Sequence, residues 1–198
     1  MSTVVMHAVV SVDGFIADDH DDPGPLFEWY FSGDRPLFEG GGDAVHPSMS
    51  ISDRSYPYVR EFWDSIRCTV VGRRLFDLTN GWEARPPAGE HLVVVSHRPR
   101  PDGWHAEADV PFVDDVTEAV AVARERADGG AVALAAGVAA GQALALGLVD
   151  VVAMDVVPVV FGSGRRYFGE VDGHVMLEDP DVVIQGDRVL HLRYPVRR

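Results

Sequence analysis

Between residues 68 and 160 one pattern repeats: a short, β-branched apolar run, a break, then a segment with helical spacing. "CTVV" (68–71) passes through Gly72 into a helix predicted over 73–79. "HLVVVSH" (91–97) and a short strand near 110–113 precede an amphipathic helix over 115–128, "VTEAVAVARERA". "AVALAA" (131–136) leads to a helix over 138–146 and then to "VDVVAMDVVPVV" (149–160). Apolar runs of this kind suit strands buried on both faces. Strands separated by helices pair in parallel, with the helices packed on the sheet, so the pattern predicts an α/β domain with a largely parallel sheet.

The flanks complete this plan. "TVVMHAVVSVDGFIA" (3–17) opens as a central strand with Asp13-Gly14 as its turn. "HVMLEDPDVVIQGDRVLHLRYPV" reads as two strands around "QGDR", an antiparallel hairpin closing one edge. "SDRSYPYVREFWDSI" predicts a helix over 57–66, capped by Ser52, Asp53 or Ser55. Residues 18–52, rich in Asp, Gly, Pro and Ser, with "GPLFEWYF" and "EGGGD" embedded, predict a long loop within a single domain spanning 1–198.

Charge excludes several partners. The chain carries 31 acidic residues against 17 basic ones, a formal charge of −14, which argues against polyanionic partners such as nucleic acid or an anionic membrane. All 17 basic residues are arginine, so Schiff-base and P-loop lysine chemistry are absent. The lone Cys68 sits in an apolar run and reads as a core residue. His20 with Asp21-Asp22, and His46, fit no metal-ligand spacing, so no metal is expected. No apolar run approaches the roughly 20 residues of a membrane span, and a cytoplasmic protein is the expectation.

Arg73 and Arg74 pose a specific question. Cations are disfavoured in a first helical turn, where free amide groups already make the end partly positive. In an open α/β sheet, ligands bind beyond the carboxyl ends of the strands. Here those ends carry "VDGFIA", "VVGRR", "VVVSHRPR", "LAAGVAAG" and "VVPVVFGSGRRYF". Each loop alone is equally an ordinary surface feature. Glycine or serine together with arginine on three of these five loops points to a ligand with more than one phosphate.

"SVDGFIA", "VVGRRLFD", "VVVSHRP", "LGLVD" and "VVPVVFGSGRRYF" occur in an order and spacing that resemble the dihydrofolate-reductase-like family, which includes the reductase domain of the riboflavin-biosynthesis deaminase–reductase. The resemblance covers residues 3–17 and about 66–170. It implies a three-layer α/β/α fold that binds NADPH. By resemblance, Gly72, Arg73 and Arg74 meet the cofactor's phosphates, and Ser96, His97 and Arg98 meet the adenosine ribose and its 2′-phosphate. Asp13 to Ala17 cover the nicotinamide, with Val9 flanking it, and Pro158 to Gly164, Gly162 included, line the far side of the cleft. Ala135, Ala136, Gly137 and Val138 occupy the pyrophosphate turn, where the family usually has Gly-Gly at the first two positions. Were either alanine at positive φ, it would be strained by ~1 kcal/mol or more.

On the substrate side, Phe15, Trp29, Trp63 and Pro158 are the candidates. Trp29, Tyr30, Phe31 and Trp63 either stack on a flat heterocycle or anchor the core. The family's acidic residue on the first helix has no match, and Glu61 and Asp64 read as solvated. Asp13 is the candidate proton source. The expected function is an NADPH-dependent reductase acting on a small heterocycle or carbonyl, and a homodimer is expected. The alternatives are an inactive ligand-binding protein with Ala135-Ala136 closing the site, or a flavin-dependent split-barrel oxidoreductase.

Overall fold

The computed structural model describes residues 2–38 and 42–197. The first half of the chain forms β1 (Val4–Ser11), β2 (Phe15–Ala17), a 3-10 segment (Gly24–Phe31), β3 (Arg35–Pro36), β4 (Ser50–Ile51), α1 (Tyr56–Ser65), β5 (Ile66–Gly72) and α2 (Arg73–Thr79). After a 3-10 turn (Asn80–Ala84) come β6 (His91–Val95), β7 (Phe112–Val113), α3 (Val116–Ala127), β8 (Ala131–Ala135), α4 (Val138–Ala145) and β9 (Val151–Val157). The chain closes with β10 (Arg165–Arg166), β11 (Val182–Gln185) and β12 (Leu190–Pro195).

Eight strands make one sheet in the order β11-β12-β9-β1-β8-β5-β6-β7. Neighbours from β9 to β7 are parallel, while β12 runs antiparallel to β9 and β11 antiparallel to β12. This open order is not that of a split barrel. β2 pairs with β10, and β3 with β4, outside the main sheet.

One face of the sheet is sealed. Val4, Met6, Val10, Cys68, Val70, Val132 and Leu134 pack under α3 and α4, whose Ala119, Ala123, Ala140 and Ala143 let the helices approach closely. Each such valine or leucine contributes about 1.5–3 kcal/mol by leaving water. The other face is divided. Under α1 and the first 3-10 segment, Val9 and Val157 pack with Leu26, Trp29, Tyr30 and Val59. Under α2, Val71, Leu92 and Val94 pack with Phe76 and Val110. Between the two clusters β8 presents the half-buried Ala133 and Ala135, the latter packed against the α2 cluster.

Three local outcomes differ from expectation. Residues 18–52 are not one loop: Leu26, Trp29, Tyr30, Leu37 and Ile51 are buried and build the second core, because apolar groups at these positions gain more by packing than by exposure. Residues 39–41 of "EGGGD" lie outside the described residues. The strand expected over 149–160 ends at Val157, where Pro158 brings no amide hydrogen to extend the ladder. At α1, Ser55 occupies the cap position without a side-chain capping bond. By contrast, Asp115 accepts from the Glu118 amide at α3. Among the described residues no helix is long and apolar enough to cross a membrane.

Candidate active site

The sheet order sets five loops side by side at the carboxyl rim of β9, β1, β8, β5 and β6. They are Pro158–Gly164, Val12–Gly14, Ala136–Gly137, Gly72–Arg74 and Ser96–Arg98. Parallel strands about 4.8 Å apart bring these loops together although they are far apart in sequence.

At the β5–β6 end the arginines are already answered from within the chain. Arg73 Nε donates to Asp77 Oδ1 at 2.7 Å, one helical turn on, and its Nη1 donates to the Pro99 carbonyl at 3.0 Å. Arg98 Nη2 donates to Asp77 Oδ2 at 2.8 Å. Ser96, 8% exposed, accepts from the Arg98 amide and donates to the Arg98 carbonyl, while His97 is exposed beside it. Asp77 is held below the usual carboxylate range: burial opposes ionisation, but Arg73 and Arg98 outweigh it. Arg74 pairs with Asp21, which also accepts from Arg165 Nε at 2.6 Å. Each trio of two arginines and one aspartate sums to +1, with the Asp18 carboxylate also facing Arg165 and Asp13 ionised nearby on the rim.

At β8 the alanine pair is unstrained. Neither Ala135 nor Ala136 has positive φ; that conformation falls on Gly137, at +123°. The expected strain is therefore absent, because the turn is taken one residue later. The Gly137 amide donates to the Tyr167 carbonyl at 2.7 Å, and a Cβ on Gly169 would lie 2.7 Å from Val138 Cα. This close approach holds the exposed start of α4. Side-chain carbons added at Gly14, Gly72 and Gly162 would meet nothing within 4 Å. These rim glycines border open space.

Asp13 is fully engaged. Its carboxylate accepts from Ser11 Oγ at 2.6 Å, from the Gly162 amide at 2.7 Å and from the Phe161 amide at 3.1 Å. The Ser11 hydrogen bond foremost, with the two amides, outweighs desolvation and lowers its pKa. An ionised carboxylate with these donors in place is a tie between the β1 and β9 loops. Of the two places expected for Trp29, the structure has the core anchor: at 1% exposure it stacks on Tyr30 at 4.0 Å and stands edge-on to His191, inside the second core. Trp63 is half-buried, edge-on to Tyr30 and Phe38. Val9, Phe15 and Ala17 are buried, with Phe15 beneath the Arg166 guanidinium, whereas Pro158 is exposed on the rim.

No family model and no curated protein sequence matches the chain. Solved structures do. A protein from Shewanella sp. PV-4 assigned to riboflavin biosynthesis superposes with a TM-score of 0.67 at 19% identity, over 100% of both chains. Dihydrofolate reductase from Enterococcus faecalis, solved with NADP(H), gives 0.56 at 18% identity over 99% of this chain and 97% of that one. The Thermotoga maritima diaminohydroxyphosphoribosylaminopyrimidine deaminase/5-amino-6-(5-phosphoribosylamino)uracil reductase gives 0.58 at 14% identity; 99% of this chain matches 57% of it. The fold is dihydrofolate-reductase-like.

Within this dihydrofolate-reductase-like frame lies a buried polar network that the sequence reading missed. Asp155 on β9, 4% exposed, accepts from His7 Nε2 at 3.0 Å and from His191 Nδ1 at 2.6 Å. His191 Nε2 lies 2.9 Å from Ser55 Oγ, which explains why Ser55 does not cap α1. Burial works against the Asp155 charge, yet the two histidines outweigh it and hold the carboxyl below its usual range. The signal was present: His7, Asp155 and His191 each interrupt an apolar strand, and ionisable groups in such strands need partners.

Proposed function

We propose that the chain is an NADPH-dependent reductase acting on a small heterocyclic, pyrimidine- or pteridine-like, or carbonyl substrate. The observation that carries this reading is the rim itself: open glycines on adjacent strand ends, flanked by two arginine–aspartate trios that each retain a positive charge. A dinucleotide bearing several phosphates suits that combination, so the residues present fit the cofactor. Gly72 and Arg73–Arg74 would hold its phosphates, Ser96–Arg98 the 2′-phosphate, and Gly137–Val138 the pyrophosphate.

The bound cofactor would supply hydride. The chain's own residues bind, orient and exclude water. The Asp13 tie fixes the Val12–Gly14 loop against Phe161–Gly162, and the β2–β10 pair fixes the segment beside it. Gly164, at φ +140°, permits that pairing, since a Cβ there would lie 2.1 Å from the Ala17 carbonyl oxygen.

Titration with NADPH and NADH, in wild type and Arg98→Ala, tests the reading. Wild type binds NADPH more tightly, and the variant loses that preference. Equal affinities for all four pairs reject it. The second reading, a binding protein whose site the Ala135-Ala136 methyl groups close, loses only the added strain, because the pair carries no positive φ. Under the reductase reading, the double change Ala135→Gly, Ala136→Gly leaves NADPH affinity within about twofold. Cofactor binding seen only in the glycine variant favours the closed site.

A further inference from the structure

We propose that His7 is the proton-donating residue of this cleft and that Asp155, His191 and Ser55 position it; the proposal rests on the reductase reading above.

Placement comes first. His7 is paired in register with Ala135 on β8, and its carbonyl accepts the Ala136 amide at 3.1 Å. Paired residues on parallel strands share a face, so the imidazole stands beside the small Ala135 side chain, on the face that α1 and α2 cover only in part. It is one strand away from the turn assigned to the pyrophosphate. Val9, two residues on, lies on the same face.

Orientation comes next. Nε2 is committed to Asp155, and Phe62 of α1 stands edge-on to the ring at 4.9 Å. Nδ1 makes no hydrogen bond among the described residues. Among the described residues the fully buried side-chain atoms without a partner are Trp29 Nε1 and Arg124 Nε, so His7 Nδ1 keeps some contact with solvent. The His7 side chain is 17% exposed, whereas His191 is fully buried. Of the two histidines on Asp155, only His7 can reach a ligand. Asp13, the alternative on the rim, has its carboxylate engaged.

The chemistry balances. As the carbon of a substrate C=N or C=O bond accepts hydride, a new C–H bond forms and the π pair moves to nitrogen or oxygen. That atom takes the proton from His7 Nδ1, whose N–H bond breaks. The imidazolium becomes neutral imidazole, keeping Nε2–H on Asp155, and water returns a proton to Nδ1. NADPH is the reductant and leaves as NADP+.

Asp155 faces this histidine, with His191 beyond it; Tyr30, Tyr58 and Tyr167 sense the Asp155 charge, Tyr167 from the opposite face of the sheet. Burial foremost, and the Asp155 charge, raise all three tyrosine pKa values, so the phenols stay neutral.

Ring 15N–1H NMR across about pH 5 to 8, with and without saturating NADPH, tests this. Expected in wild type are Nε2 of His7 protonated throughout, protonation changing at Nδ1, and an Nδ1 signal that shifts when NADPH binds. Asp155→Asn should loosen the hold on Nε2, so that the two ring tautomers mix and the Nδ1 response to NADPH weakens. With 7,8-dihydropterin as an imine probe, His7→Gln should lower turnover ~100-fold or more and remove the alkaline limb of the pH profile. NADPH affinity should stay within about twofold. If NADPH binds but Nδ1 does not respond, or His7→Gln keeps its rate and pH profile, the donor role is rejected and the reductase reading survives. If wild type does not bind NADPH, both fall together. If the probe is not turned over, the Nδ1 response to NADPH decides alone.

Discussion

Asp77 and Asp155 each sit between two basic side chains, yet they occupy opposite physical regimes. Asp77 lies on the α2 surface, its side chain 40% exposed, between Arg73 and Arg98. Asp155 lies beneath α1, its side chain 5% exposed, between His7 and His191. Water and salt screen the first trio, so its partners can be exchanged for those of a ligand at little cost. The second has no water to replace a lost partner, and removing one member leaves a buried charge. Within one sheet, the exposed trio suits anion binding and the buried one suits fixing a geometry.

The largest effect expected from breaking this contrast is at the buried acid. Asp155→Ala should destabilise the fold by ~3–5 kcal/mol, read as a lower urea midpoint with an unchanged slope. A loss below 1 kcal/mol would show that the network is solvated. Acid titration sharpens the point. The folded-state pKa of Asp155 lies below its ordinary 3.8, so the unfolded chain takes up the proton first. Its stabilisation is complete above the unfolded value and is lost as the pH falls from about 4 toward the folded one. Asp155→Asn should lack this component, giving a shallower fall of stability in acid than wild type.

At the exposed trio the effects are on ligands. Arg98→Ala should weaken NADPH binding by about 10-fold and leave NADH unchanged, with no shift in thermal midpoint. Asp77→Asn should do the opposite and to a smaller degree. It frees Arg73 and Arg98, tightening NADPH binding by about 2- to 5-fold at low ionic strength and hardly at all near 0.5 M salt. A gain that persists at high salt would mean that Asp77 acts by more than charge.

Periodicity made the scaffold legible. The alternation from Cys68 to Val160 announced a parallel sheet, and "QGDR" announced its closing hairpin, because both patterns depend on local geometry. The rim could also be read, since strand ends must meet along one edge. The roles of its arginines could not. Asp21 and Asp77 reach them through a loop and a helical turn whose positions follow from packing. Trp29 stayed undecided for a related reason: an aromatic in a polar segment reads equally as ligand stack or core anchor until a second core forms around it. Ser55 looked like a cap until His191, 136 residues away, took its hydroxyl.

By itself, the sequence determined the α/β architecture, the glycine-and-arginine rim and the excess of negative charge. These are properties of neighbouring residues and of totals. Only the tertiary structure decided that Gly137 takes the positive φ beside an unstrained alanine pair, and that His7, Asp155, His191 and Ser55 meet. Those four come from three strands and the cap of a helix. A hydrogen-bonded network across strands depends on register, which no local pattern in the chain encodes.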